Sequence, residues 1–201
     1  MIEGFRFLPE YLSQAAQERL VADILTRLDA SPLYRPVMPR TGAPLRVRMT
    51  NLGSLGWVSD RRGYRYSTTH PVTGQAWGPI PEALLDVWRD VAGYDAPPEA
   101  CLVNWYEPGA RLGLHIDADE DAEDAPVVSL SLGARALFRL GGLQRSSPTS
   151  SLRLASGDLV VLGGAARRAY HGVDRIYPGS SRLAPGGARI NLTLRRVRRP
   201  S

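Results

Sequence analysis

The 201-residue chain contains no lysine, one cysteine and three histidines, and each shortage narrows what the protein is. Cys101 stands alone, so no disulfide forms within the chain, which favours a reducing compartment such as the cytoplasm. No apolar run approaches the length that crosses a bilayer, and the first residues lack the charged-then-apolar order of a signal peptide. We therefore expect a cytoplasmic protein with no membrane segment.

All 25 basic residues are arginine, a bias that a GC-rich genome is sufficient to explain, and the formal net charge is +5. Six of the 20 acidic residues lie between Asp117 and Asp124, which leaves +11 on the remainder of the chain. Guanidinium groups form paired hydrogen bonds with carboxylates and phosphates. A basic body around an acidic patch favours a polyanionic partner and a cation held near that patch.

The first hundred residues predict two amphipathic helices and a stretch of loops. The first helix covers residues 13–29, begins near Ser13 and buries a stripe that includes Leu20 and Ile24. The second covers residues 81–92, with Pro81 in its first turn. Residues 31–78 are rich in Gly, Pro, Arg and aromatics, and predict loops with short strands in RVRMTNLG and GYRYS.

After Ala100 the pattern becomes a series of short apolar or alternating runs separated by Gly, Pro, Ser and Asp. Such a series is typical of a β-sandwich or barrel. We predict a single domain, 1–201, of α+β class and predominantly β. Its parts are a helical and loop-rich section, 1–100, a β core, 101–197, and a basic tail, 198–201, that either contacts phosphates or is disordered.

Strand alternation in LGLHID predicts a metal site. His115 and Asp117 share one face, whereas Leu114 and Ile116 are expected to point into the core. His171, 54 residues further along, can reach the same ion from an opposing strand. Two histidines and one carboxylate leave positions open for substrate and dioxygen, as in non-haem iron(II) oxygenases.

Other interpretations of these residues stay open. Zinc accepts the same three ligands, and a His-x-Asp pair also occurs in proteins without a metal. The remaining histidine, His70, lies in the turn-like stretch STTHPVTG and is predicted to be solvated.

The last strand, ARINLTLRR, predicts a polar surface facing the same interior. Its apolar residues alternate with polar ones, so that arginines and an asparagine share one face, and LVNWY adds an amide and a phenol. Buried arginines require anions, so a small dicarboxylate that chelates the metal would fit. The residues of this face are Asn104, Tyr106, Arg189, Asn191 and Arg195.

Six segments now stand in order along the chain: MTNLGSLGW, NWYEPGARLGLHIDADE, VVSLSLG, GDLVVLGG, YHGV and RINLTLR. Together they resemble the AlkB-type iron- and 2-oxoglutarate-dependent dioxygenases, over nearly the whole chain from Phe5 to Arg196. The resemblance implies a double-stranded β-helix, the cupin-like jelly-roll, preceded by N-terminal helices and a nucleotide-recognition lid within residues 1–100.

The resemblance also implies roles for individual residues. Fe(II) would be bound by His115, Asp117 and His171, and 2-oxoglutarate by Asn104, Tyr106, Arg189, Asn191 and Arg195, with Arg189 at the distal carboxylate. Substrate-binding residues would be Trp57, Met49, Tyr64, Asp119 and Arg145. Trp57 and His115 would stack on either side of a flipped base, Asp119 would favour a cationic lesion, and Arg145 would contact phosphates, with Arg61, Arg62 and Arg65 flanking the lid.

The activity so implied is oxidative demethylation with Fe(II), 2-oxoglutarate and O2. The expected substrates are N1-methyladenine and N3-methylcytosine in single- or double-stranded DNA, and RNA as a second polymer, with release of formaldehyde, succinate and CO2 by a monomeric enzyme. Two rival hypotheses remain. One is a dioxygenase of the same fold that hydroxylates a small molecule or a protein, and the other is a non-catalytic jelly-roll that binds nucleic acid or sugar.

Overall fold

The computed structural model describes residues 2–200, which form twelve strands, two α-helices and two short 3-10 helices. The elements before residue 100 are β1 (Phe5–Leu8), α1 (Gln14–Arg27), β2 (Arg48–Gly53), β3 (Gly56–Asp60), β4 (Gly63–Ser67) and α2 (Glu82–Val91). Those that follow are β5 (Ala100–Tyr106), β6 (Leu112–His115), β7 (Val127–Gly133), β8 (Ala136–Leu140), β9 (Ser150–Leu154), β10 (Leu159–Leu162), the 3-10 helix Gly164–Arg168, β11 (His171–Ile176), the 3-10 helix Pro185–Gly187 and β12 (Arg189–Arg195).

Two antiparallel sheets pack face to face and build the core. The larger sheet has the strand order β1-β10-β7-β12-β5-β2, and the smaller has the order β6-β11-β8-β9. Inward side chains of both sheets meet in one apolar cluster, in which Leu102 and Val160 of the larger sheet join Phe138 and Val173 of the smaller. This two-layer arrangement confirms the predicted jelly-roll. Strands β3 and β4 form a separate two-stranded hairpin.

Both helices cover the outer face of the larger sheet. Helix α1 begins after Ser13, whose hydroxyl accepts a hydrogen bond from the amide of Ala16, and α2 begins after Pro81. Leu20 of α1 and Trp88 of α2 belong to the apolar cluster that packs against this face. Neither helix has the length and hydropathy needed to cross a membrane.

Strand β12 serves both layers because its residues alternate. Ile190, Leu192 and Leu194 are buried in the cluster beneath the helices, as predicted. The intervening residues, from Arg189 to Arg195, therefore face the space between the two sheets. Since β12 lies between β5 and β7 in the larger sheet, these polar side chains are held at its centre.

Strands that precede residue 100 contribute to the β core. β1 pairs with β10 and β2 pairs with β5, so the larger sheet crosses the predicted boundary at residue 100. Of these early strands, β2 and β4 lie in the segments that the sequence indicated, whereas β1 and β3 lie in segments for which no strand was predicted.

His70 is buried rather than solvated, so the prediction for it was wrong. Its Nε2 donates to the carbonyl of Pro32 at 2.8 Å, while Nδ1 accepts from the amides of Val72 and Thr73. The imidazole also packs against the ring of Trp77. The turn folds its own amides around the ring, and for that reason the histidine lies inside.

The described part of the basic tail is bound to the body of the protein. The Glu99 carboxylate accepts hydrogen bonds from the amides of Val197 and Arg198 and from the Arg198 guanidinium. The carbonyl of Val197 in turn accepts from the amides of Asp121 and Ala122. These bonds attach Val197 and Arg198 to the body of the protein, and residue 201 lies outside the described residues.

Candidate metal centre and adjoining cavity

A cavity of about 450 Å3 lies between the two sheets, and its lining includes the residues predicted to bind the metal, the cosubstrate and the substrate. Its wall includes polar side chains of β5 and β12, the two histidines of β6 and β11, and aromatic side chains of the β3–β4 hairpin. We call residues 56–67 the lid hairpin. The fold therefore brings the residues predicted for the metal, the cosubstrate and the base together around one space.

His115, Asp117 and His171 form one cluster, with a ligand atom from each residue lying within 4.8 Å of the other two. His115 ends β6 and His171 begins β11, and the two are direct cross-strand partners. The next residue, Gly172, permits this close pairing, because a Cβ there would stand only 2.7 Å from the carbonyl oxygen of Leu112. The triad has the two-histidine, one-carboxylate composition of a facial iron site.

Backbone carbonyls orient both imidazoles toward Asp117. Nδ1 of His115 lies 2.9 Å from the carbonyl of Gly113, and Nδ1 of His171 lies 3.0 Å from that of Ala169. Because a carbonyl only accepts, each Nδ1 carries the hydrogen and each Nε2 keeps its lone pair for a metal. The two Nε2 atoms each lie 3.9 Å from an oxygen of Asp117.

Burial and nearby charge set the protonation of the triad. Burial, followed by the proximity of His115, lowers the pKa of His171 to about 4, so that imidazole is neutral near pH 7. Burial is the largest single influence on Asp117 and opposes its ionisation, but Arg195 at 3.0 Å, together with His171 and His115, holds the pKa of the carboxyl well below its usual range. Both groups are therefore in the form that binds a metal.

One detail of the predicted strand is wrong. Strand β6 ends at His115, so Asp117 lies just after it rather than on it. Leu114 and Ile116 are only half-buried and line the cavity instead of entering the core. For Ile116 the alternation that would have carried its side chain inward stops with the strand.

The residues predicted to bind the cosubstrate lie on the inner side of β5 and β12. Tyr106 lies directly opposite Arg189, and Asn104 lies opposite Asn191, so the four side chains are neighbours on one surface. Arg189 is 1% exposed, and its Nη2 donates to Ser131 at 2.9 Å. Within residues 2–200, its Nε and Nη1 have no hydrogen-bond partner.

A buried guanidinium with two unpaired N–H groups is unfavourable unless an anion meets it. Burial lowers the pKa of Arg189 to about 10, which still leaves the group charged near pH 7. Arg195, six residues along the same strand, pairs with Asp117 at the metal cluster. One arginine at each end of the polar face of β12, beside a metal triad, fits a small dicarboxylate that reaches the metal.

Aromatic and acidic side chains of the lid hairpin and the segment after Asp117 border the cavity. Trp57 stacks on Tyr64 with ring centroids 5.5 Å apart and planes 18° from parallel. Its indole Nε1 donates to Asp119 at 2.8 Å. The buried amide of Asn51 holds the Trp57 backbone with two hydrogen bonds of 3.0 Å.

Met49 lies in the wall of the cavity, whereas Arg145 lies on an exposed loop and Arg65 in the lid hairpin. Met49 is buried on β2, opposite Asn104, and lines the cavity from the larger sheet rather than from the lid hairpin. Arg145 is exposed on the β8–β9 loop and donates to the carbonyl of Leu114. In the lid hairpin, Asp60 accepts two hydrogen bonds from Arg65.

The remaining hairpin arginines are exposed. Arg62 also bonds to Asp60. Arg61 lies beside Gly42, where an added Cβ would stand only 2.7 Å from Nη2 of Arg61. Part of the positive charge flanking the lid hairpin is therefore offset by one carboxylate.

Two further residues join the site that the sequence did not single out. Glu120 lies within the dense acidic run between Asp117 and Asp124, yet it is 4% exposed. Its carboxylate receives the guanidinium of Arg167 at 2.7 Å, and Arg167 is buried as well. Neither the acidic run nor the segment GGAARR carries a periodic signal that marks these two residues as interior.

Comparison with known proteins agrees with this geometry. The family model of the 2OG-Fe(II) oxygenase superfamily matches residues 4–195. An alpha-ketoglutarate-dependent dioxygenase AlkB homolog of Caulobacter vibrioides is 54% identical over 200 residues, which cover 98% of this chain and 90% of that protein. The alpha-ketoglutarate-dependent dioxygenase AlkB of Escherichia coli is 44% identical over 162 residues, which cover 79% of this chain and 74% of that protein.

More distant matches extend the same picture. The tRNA demethylase abh1 of Schizosaccharomyces pombe is 39% identical over 140 residues, 66% of this chain and 46% of that protein. A solved structure of OsALKBH1 superposes with a TM-score of 0.83 at 30% identity and covers 98% of both chains. With the triad and the arginine-lined cavity, these matches show that the chain belongs to the AlkB group of the 2OG-Fe(II) oxygenase superfamily, whose cofactor is Fe(II) and whose cosubstrates are 2-oxoglutarate and O2.

Proposed function

We propose that the protein oxidatively demethylates N1-methyladenine and N3-methylcytosine in DNA, with RNA as a second substrate, and releases formaldehyde, succinate and CO2. The observation that carries this proposal is that the aromatic and acidic residues Trp57, Tyr64 and Asp119 line the same cavity as the His-Asp-His cluster. The name of the fission-yeast relative, a tRNA demethylase, adds support for a methylated nucleic acid as substrate.

The residues fit both the metal and the cosubstrate. Nε2 of His115, Nε2 of His171 and the carboxylate of Asp117 would hold Fe(II). Arg189 and Arg195 are six residues apart, about 20 Å along an extended strand, so the two arginines serve opposite ends of the polar face of β12. We assign Arg189, with the neighbouring polar groups Asn104, Tyr106 and Asn191, to the distal carboxylate of 2-oxoglutarate, and Arg195 to the end nearest the metal.

Bound Fe(II), 2-oxoglutarate and O2 supply the oxidising power that converts a methyl C–H bond into C–OH. The chain supplies position and charge. Arg189 neutralises the distal carboxylate, Asp117 and neutral His171 keep their lone pairs free for the metal, and apolar side chains such as Phe138 and Val173 in the cavity wall limit access of water.

Recognition of the base would depend on the lid hairpin. A methyl group on a Watson–Crick nitrogen is inaccessible in a duplex, so the nucleotide must be single-stranded or flipped. Trp57, already stacked on Tyr64, offers one aromatic surface, and His115 offers the other. Asp119 favours a cationic base. After hydroxylation, loss of formaldehyde leaves a neutral base, which Asp119 attracts less, and release of the product is therefore favoured.

The direct test is a mass spectrum of a single-stranded oligonucleotide with one N1-methyladenine, incubated with the protein, Fe(II), 2-oxoglutarate and air. Loss of the methyl group in the complete mixture, but not without 2-oxoglutarate or with the Asp117→Ala variant, is the expected result. Succinate formation with an unchanged oligonucleotide would overturn the assignment of nucleic acid and favour a small molecule or a protein as substrate.

The remaining assignments concern the setting in which the enzyme works. We expect a cytoplasmic monomer that binds its polymer through arginines such as Arg145, independently of sequence. Support for a reducing compartment comes from Cys101, which is fully buried as a free thiol.

A further inference from the structure

The lid hairpin is bonded to the metal-ligand segment at two consecutive acids. Trp57 and Tyr66 are direct partners across β3 and β4, so their side chains leave the same face of the hairpin. Trp57 donates to Asp119, and the hydroxyl of Tyr66 donates to Glu120. The bond from Trp57 lies in the proposed base-recognition surface, whereas the bond from Tyr66 reaches the buried carboxylate of Glu120.

Glu120 continues this connection to the cosubstrate end of the cavity. Its Oε1 forms an ion-pair contact of 3.5 Å with Nε of Arg195, which has no hydrogen-bond partner within residues 2–200, and Nη2 of Arg195 lies 3.0 Å from Asp117. The side chains of Glu120, Asp117 and Arg195 are each less than a tenth exposed. A continuous set of polar contacts therefore joins Tyr66 on the lid hairpin to Arg195 beside the metal ligands.

Arg167 holds Glu120 and its segment in place. Besides its bond to Glu120, it donates through Nη1 to the carbonyl of Asp117 at 2.6 Å and through Nε to the carbonyl of Ala125 at 3.0 Å. All three contacts are buried, so the segment from residue 117 to 125 is anchored at both ends and at its middle. The network thus has a fixed base, to which the lid hairpin adds the hydroxyl of Tyr66.

Stability alone is a weak explanation for such a network. Replacing buried ion pairs with apolar residues is often neutral or stabilising, because desolvation offsets the attraction between the charges. The contact with Tyr66 is also specific in direction. Burial raises the pKa of Tyr66 well above its ordinary value, so the hydroxyl stays protonated and donates to the Glu120 carboxylate.

We infer that Glu120 is a positioning residue that couples the lid hairpin, through Tyr66, to the cosubstrate arginine Arg195. This inference rests on the proposed function, because it assumes that a methylated nucleotide settles the lid hairpin. A settled hairpin keeps the Tyr66 hydroxyl on Glu120, and Glu120 then restricts the Arg195 guanidinium that receives 2-oxoglutarate. Coupling of this kind is reciprocal, so each ligand must tighten the binding of the other by the same factor.

The test measures binding without turnover. Anaerobic, Fe(II)-loaded protein is titrated with 2-oxoglutarate, with and without an N1-methyladenine oligonucleotide. In the unaltered protein the oligonucleotide should tighten 2-oxoglutarate binding at least about fivefold, the lower end of usual coupling. In Tyr66→Phe that ratio should fall close to one, while the affinity without oligonucleotide changes little. An undiminished ratio in Tyr66→Phe overturns the inference.

A matched control is Tyr11→Phe, which also removes a hydroxyl-to-carboxylate bond, here to Asp90 at 2.6 Å, on the helix-covered side of the molecule. It should keep the coupling ratio of the unaltered protein. Glu120→Gln retains the shape of the side chain and removes its charge, so it should abolish the coupling and also weaken 2-oxoglutarate binding in the absence of the oligonucleotide.

A second measurement needs no nucleic acid and separates this inference from the proposed function. Amide hydrogen exchange of residues 56–67 is compared with and without 2-oxoglutarate in the anaerobic Fe(II) protein. Exchange should slow on cosubstrate binding in the unaltered protein and in Tyr11→Phe, but not in Tyr66→Phe. Equal protection in all three proteins rejects the coupling even if demethylation occurs, and the expected pattern supports it even if the oligonucleotide is not a substrate.

Discussion

The inner and outer ends of the cavity are built in opposite ways. At the inner end, Arg189, Arg195 and Asp117 lie at most 9% exposed on or beside the central strands of the jelly-roll, with charges that must be matched in place. At the outer end, Tyr64 is 48% exposed on a two-stranded hairpin outside both sheets. On the proposed function, the inner end determines whether the chemistry is possible, and the outer end determines which molecule undergoes it.

The largest effect should follow from Asp117→Asn, which breaks the inner end. The amide keeps the shape but not the charge, so the metal loses an anionic ligand and Arg195 loses its nearest counter-ion. We expect 2-oxoglutarate turnover to fall by more than about 100-fold, since even the groups that orient metal ligands contribute 10- to 100-fold. Parallel titration with Fe(II) should show weakened binding, and turnover close to that of the unaltered protein would contradict the assignment.

Arg189→Met separates stability from function within the same inner end. Removing a guanidinium that meets a carboxylate should raise the KM for 2-oxoglutarate by roughly 10- to 100-fold, from the 1.5–3 kcal/mol of charged hydrogen bonds. The unliganded protein should be no less stable, because the variant also removes two buried unpaired N–H groups. Steady-state kinetics and urea unfolding measure the two quantities. An unchanged KM would place the distal carboxylate elsewhere.

Two tryptophans sharpen the contrast between recognition and packing. Trp57→Ala should weaken binding of the methylated oligonucleotide by about 5- to 100-fold, since a base–aromatic stack contributes roughly 1–3 kcal/mol, and should leave 2-oxoglutarate binding almost unchanged. Trp77→Ala is the control, because Trp77 is 6% exposed and packs against His70. It should instead lower the free energy of unfolding by about 3–5 kcal/mol. Equal oligonucleotide affinity in Trp57→Ala would remove that residue from the recognition surface.

The smallest effect should come from Asp119→Asn at the exposed rim. The carboxylate faces solvent, so its attraction for a cationic base is about 1 kcal/mol, or roughly fivefold. We expect kcat/KM for N1-methyladenine to fall by that factor, while neutral N1-methylguanine changes less. Competition between two oligonucleotides in one reaction gives the ratio directly. An unaltered preference would show that Asp119 acts only through its bond to Trp57.

The features that sequence predicted best are those determined by strand period. The two faces of β12 follow from alternation within seven residues, and the approach of His171 to His115 follows from an antiparallel pairing that the short strands already suggested. The assignment of named side chains to 2-oxoglutarate and to the base came from family resemblance, not from period. The wrong prediction for Ile116 extended that period past His115, where β6 ends, whereas Leu114 lies within β6 and is only half-buried.

Strand period could not predict the burial of polar residues whose surroundings are formed by other segments. Glu120 is interior only because Arg167, Tyr66 and Arg195 converge on it from three other elements. His70 is buried because Val72 and Thr73 turn back onto its ring. In both cases the polar side chain is satisfied by tertiary contacts, for which an acidic run or a turn-like composition contains no information.

The central place of β12 also has a consequence for the order in which the molecule is made. In the larger sheet, β1, β10 and β7 lie on one side of β12 and β5 and β2 lie on the other, yet β12 follows all of them in the chain. During synthesis these five strands emerge as two separate groups, which strand pairing joins into one sheet only when β12 leaves the ribosome. The strand that unites the sheet also bears Arg189 and Arg195, so a nascent chain completes its architecture and its proposed cosubstrate site in the same step.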